Sequence, residues 1–180
     1  MPPFDRAALQ VYLNDHLAGS VGAFQLMDRL CSAHADSRLG DLLDGLRYEV
    51  KEEQTILQNL LASIGGTEST VAKTIAWVGE KVSRFKIGPG GHDSSGLMLF
   101  EALEALSLGF WGRRSLWWTL AQLAREAPIE SSVDFTGLAT RAELHLDELE
   151  SLRMDAAMTA LLEAAGTATV FADDFAAEES

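Results

Sequence analysis

Residues 49–66 read EVKEEQTILQNLLASIGG, and the interpretation of this stretch decides the fold. Glu49, Glu53, Ile56 and Leu60 follow one another at spacings of three and four, which puts them on one side of a helix. Upstream the same stripe runs through Leu46 and Leu42. Two carboxylates therefore fall in line with core positions, where charged side chains are seldom buried without a partner. Downstream, Gly65-Gly66 break the helix and open a connection of about 30 residues before the next long periodic segment. Such a connection can travel the length of a bundle built from helices of roughly 28 residues at ~1.5 Å each, whereas a short join forces an antiparallel hairpin.

Outward from this stretch, the periodicity predicts helices over Phe4–His34, Ser37–Ile64, Ser69–Phe85, Gly96–Arg125 and Ser132–Ala165. The stripe of the first is Leu9, Leu13, His16, Ser20, Ala23, Met27 and Leu30, and that of the last is Phe135, Leu138, Ala142, His145, Leu149, Leu152 and Ala156. All four prolines, Pro2, Pro3, Pro89 and Pro128, stand outside these segments. Asp36 or Ser37, Ser95, and Ser131 or Ser132 are the expected N-caps, and Gly65 and Gly166 the expected stops. The segment around Leu97 to Leu108 is apolar on nearly every side, which predicts that its helix is the most enclosed of the four. Short joins near Ala35 and Pro128 make two hairpins, and the long connection carries the short helix Ser69–Phe85, anchored by Trp77. The expected architecture is all-α: a ferritin-like four-helix bundle of two antiparallel hairpins with a long crossover carrying a short fifth helix. Residues 1–166 form one domain in this reading, and 167–180 an acidic tail.

The chain has 180 residues, 47% of them hydrophobic, enough for one sizeable core. Fourteen basic residues against 27 acidic ones give a formal charge of −13, which repels nucleic-acid backbones and anionic membrane surfaces. Neither is an expected partner. Cys31 is the single cysteine, so no intramolecular disulfide and no multi-cysteine zinc site can form, which suits the reducing cytoplasm. The N-terminal residues do not read as a secretory signal, and no apolar run reaches the roughly 20 residues needed to span a bilayer.

With Glu49-Val50-Lys51-Glu52-Glu53-Gln54 before Ile56-Leu57, then Leu60-Leu61 and Ile64-Gly65, the chain resembles the ferritin-like superfamily, in particular its small stress-associated bacterial bundles. The resemblance covers roughly Phe4 to Ala165. It implies that a di-iron member would take one carboxylate from each of two helices and a Glu-x-x-His pair from each of the other two. No Glu-x-x-His occurs in this chain. His145 and Glu148 stand in the reversed order, and Asp15-His16 stands where a single glutamate is expected.

Counting outward from the two short joins sets Glu53 and Gln54 opposite His16, and Trp111 to Arg114 opposite His145. Glu101 and Glu104 fall ~10 to 15 Å away along the axis. The middle layer thus holds arginine, and a guanidinium repels a metal cation. The expected arrangement is a self-neutralised polar core layer of His16, Glu49, Glu53, Arg113, Arg114 and His145. Two alternatives stand beside it: a metal site, of iron or manganese, drawn from His16, Glu49, Glu53, His145 and Glu148, and exposure of most of these side chains. His92-Asp93, within a Gly- and Ser-rich loop, read first as a turn before the next helix, and Cys31 reads as a small hydrophobe. Adjacent Trp117 and Trp118 lie ~100° apart on their helix and cannot share one core.

The expected function is that of a structural or interaction module without a cofactor, acting as a homodimer. The alternative is a metal-dependent oxidoreductase or metal-handling protein with an unorthodox His/Glu site. A bundle holding a small ligand in an apolar cavity is a third reading.

Overall fold

The computed structural model describes residues 4–66, 95–127, 129 and 132–168. Among these residues the regular structure is entirely helical: α1 Arg6–Ala33, α2 Arg38–Ser63, α3 Ser95–Glu126 and α4 Phe135–Ala168. The expected fifth helix with Trp77 and the loop with His92 and Asp93 lie outside the described residues. No described helix is long and apolar enough to cross a membrane.

Side-chain oxygens start three of the helices. Asp5 accepts from Ala8 N at 3.0 Å, Ser37 from Gly40 N at 3.2 Å, and Asp134 from Gly137 N at 2.9 Å. The last corrects the expected cap at Ser131 or Ser132, and α4 begins three residues later than expected. At its other end α4 continues to Ala168, past Gly166, the expected stop. Gly65 follows α2 with φ 75°, a left-handed conformation that closes helix ends and suits glycine best. His34 and Gly40 backbones crowd the α1–α2 turn: a Cβ on Gly40 would lie 2.2 Å from His34 O, so only glycine fits.

Cross-contacts give the helix directions. Gln10 Nε2 donates to Ile64 O at 2.9 Å, Gln54 Nε2 to Ser20 Oγ at 3.1 Å, and Arg47 pairs with Asp28, so α1 and α2 are antiparallel. Trp117 stacks on Phe135 at 6.2 Å between ring centroids, and Arg153 lies 5.8 Å from the Phe100 ring centroid, so α3 and α4 are antiparallel too.

Two apolar clusters fill the interior. One joins Leu13, Leu60, Trp117 and Leu138; the other joins Leu30, Leu43, Leu103 and Leu149. The start of α1, the end of α2, the end of α3 and the start of α4 thus share one end of the bundle. Helices α2 and α3 are parallel, and α2 ends at the opposite end from where α3 begins. Each fully buried leucine contributes about 1.5–3 kcal/mol of transfer free energy. Although α3 is expected to be the most enclosed helix, part of its apolar surface faces outward: Leu108 is 72% exposed and Leu97 44%. A helix in a four-helix layer has only one inward face, and α3 carries more apolar residues than that face can hold.

Candidate functional site: a polar layer and its cavity

Between the two apolar clusters, at mid-height, the core changes character. Val50 and Leu57 are buried, and Glu53, three and four residues from them on the same face of α2, is carried inward with them to 6% exposure. An unpaired carboxylate there would lose its hydration, at a cost of several kcal/mol. The loss is offset by three donors. Arg113 gives Nε to Glu53 Oε2 at 2.7 Å and Nη2 to Oε1 at 2.6 Å, the two-pronged match of guanidinium to carboxylate. Trp117 Nε1, one turn further along α3, donates to Oε2 at 2.9 Å. Phe110, one turn before, places its ring centroid 5.1 Å from the Arg113 guanidinium carbon.

From α4, His145 Nδ1 lies 3.1 Å from Arg113 Nη1. A guanidinium only donates, so Nδ1 is the acceptor, and the neutral ring carries its proton on Nε2. That nitrogen is 3.5 Å from Glu49 Oε1. Burial moves the His145 pKa below the ordinary imidazole value and Arg113 acts in the same direction, while Glu49, Glu148 and Glu53 oppose them. The second Glu49 oxygen is buried without a hydrogen bond, 3.6 Å from Arg113 Nη2 and 3.9 Å from the half-exposed Arg141.

The structure thus brings Glu49, Glu53, Arg113 and His145 together. Arg114 stands apart: it pairs with Glu143 at 2.9 Å, with side chains 32% and 45% exposed. Glu148 is exposed. His16 is half-buried on α1, in edge-on contact with Tyr12 at 4.6 Å between ring centroids. Burial lowers its pKa, against the opposing charge of Asp15. His16 and Glu53 line one cavity of about 220 Å³ between α1, α2 and α3.

A metal ion does not fit this set of donors. Both Glu53 oxygens are taken, and the Arg113 guanidinium stands among Glu49, Glu53 and His145 where a cation would have to sit. Among the described residues no group of three or more His, Cys, Asp or Glu is arranged to hold a metal.

Trp117 is the participant that reading the sequence missed, although its position four residues after Arg113 was a signal. Arg141 and Glu143 were missed as well. Their contacts depend on how α4 is rotated about its axis, and no spacing records that. Comparison with protein-family models, with curated proteins and with solved structures finds no match to the chain.

Proposed function

We propose that the chain is a metal-free bundle of ferritin-like type, with residues 67–94 as the crossover between its hairpins, and that it serves the cytoplasm as a structural or interaction module and not as an enzyme. The observation that carries this reading is the double hydrogen bond from Arg113 to Glu53 at mid-height. An arginine held there supplies the positive charge that a metal supplies in a di-iron bundle, without redox chemistry or an open coordination position. Elemental analysis of protein purified without chelators tests the reading. Iron, manganese and zinc well below one per chain are expected; one equivalent of any of them overturns it.

Self-association as a homodimer belongs to the same proposal. Among the described residues, the large apolar side chains left exposed on α3 and α4 include Leu108, Trp111, Leu144, Met158 and Leu162, against Val11 and Tyr48 on the other hairpin. Surfaces of that composition mark association sites.

The second reading, a metal-dependent oxidoreductase, is favoured by one observation, the convergence of Glu49, Glu53 and His145. It requires Arg113 to leave. Metal that copurifies with the wild type and disappears in Glu53→Ala would support it.

A further inference from the structure

We infer that the cavity between α1, α2 and α3 is a binding site for a small uncharged aromatic molecule with a single hydrogen-bonding group, of the phenol class. Its volume is about 220 Å³. A space of roughly 150 Å³ is enough for benzene, so this one has room for a substituted ring. Val50, Leu57, Phe110, Leu116 and Trp117 are among its apolar lining residues.

The polar groups of the lining are nearly all committed elsewhere. Glu53 accepts from Arg113 and Trp117. Ser20 donates to Leu17 O and accepts from Gln54, whose oxygen accepts from Lys51. Water needs two to four polar partners to be held in such a space, and these groups offer few. His16 is different: its ring touches Tyr12 and makes no hydrogen bond among the described residues. A neutral imidazole can accept a hydrogen bond from a hydroxyl or donate one to an oxygen, so His16 can select a ligand by polarity.

Three mid-helix glycines border the space: Gly19 on α1, and Gly109 and Gly112 on α3. A Cβ at any of them would meet nothing within 4 Å. Packing therefore does not demand glycine there, and glycine weakens a helix relative to alanine. What the three positions do is leave the space open. Charge sets the remaining selectivity. Among the described residues the one arginine of the lining is bound to Glu53, and Asp15 stands exposed at the rim, so an aromatic carboxylate finds no free cation among them and a neutral ring is preferred.

Fluorine NMR titrations of the full chain with para-fluorophenol, fluorobenzene and para-fluorobenzoate test the inference. The phenol should show saturable broadening and a shifted bound signal, with the benzoate much weaker. His16→Phe should weaken the phenol by roughly three- to tenfold, the worth of one net hydrogen bond, and leave fluorobenzene unchanged. Gly112→Leu and Gly19→Leu, on different helices, should each keep the helical circular dichroism and unfolding midpoint of a folded bundle while abolishing phenol binding. No saturable phenol signal, benzoate binding equal to phenol, or undiminished binding in both folded leucine variants would overturn the proposal.

Discussion

Arg113 and Arg114 are chemically identical neighbours with opposite environments, and the difference sets their energetic weight. The Arg113 side chain is 9% exposed and its partner Glu53 is 7% exposed, so deleting one leaves the other as an uncompensated buried charge. Arg113→Ala should lower the urea-unfolding free energy by about 3–5 kcal/mol. Arg114→Ala removes a solvent-screened pair and should cost no more than about 1 kcal/mol. Equal effects of the two substitutions would refute the assignment. The histidines add a pH dependence of defined sign. His16 and His145 both have pKa values lowered chiefly by burial, so near and below the ordinary imidazole value of about 6.5 the unfolded chain binds more protons than the folded one. Their contribution is fully present above that value and is lost as pH falls through it toward the folded-state pKa values. Urea midpoints measured between pH 7.5 and 5 should decline, and His16→Gln and His145→Gln should each make the decline shallower. Arg113 and the nearby carboxylates Asp15, Glu49, Glu53 and Glu148 surround the two rings, so the comparison is between variant and wild type at each pH.

The helices owe their limits to a few local groups, and these can be tested separately from the core. Asp134→Ala removes the acceptor for Gly137 N and should cost about 0.5–2 kcal/mol in chemical unfolding, while Ser132→Ala should cost little. Gly65→Ala forces a side chain into a left-handed conformation, φ 75°, at about 1–2 kcal/mol. The existence and approximate extent of the four described helices were legible in the sequence because the 3.6-residue period is written into each segment independently. The start of α4 was not. Ser131, Ser132 and Asp134 are all competent caps, and the helix begins where Phe135 can stack on Trp117, a contact between elements that no local pattern records.

At the scale of the molecule, the polar layer separates two apolar clusters, and the surface of α3 and α4 carries most of the large exposed apolar side chains among the described residues. Trp111 is 60% exposed, so Trp111→Glu should leave folding intact while shifting a self-associated species toward monomer in light scattering. A monomeric wild type at all concentrations would remove the dimer from the proposal. By itself, the sequence determined that the described segments are helical and that the carboxylates of α2 share a face with its core leucines, because periodicity and short joins are properties of a one-dimensional string. It also carried the levels at which His16 and Glu53 come to line one cavity and His145 meets α3, since counting from a tight turn measures distance along an antiparallel pair. The tertiary structure alone decided which of two adjacent arginines turns inward, that Trp117 completes the shell of Glu53, and that three glycines border a cavity. Those outcomes depend on the rotation of each helix about its own axis and on the gaps among three helices at once. Residues ~100° apart on a helix differ only by that rotation, and it is settled by packing the whole core.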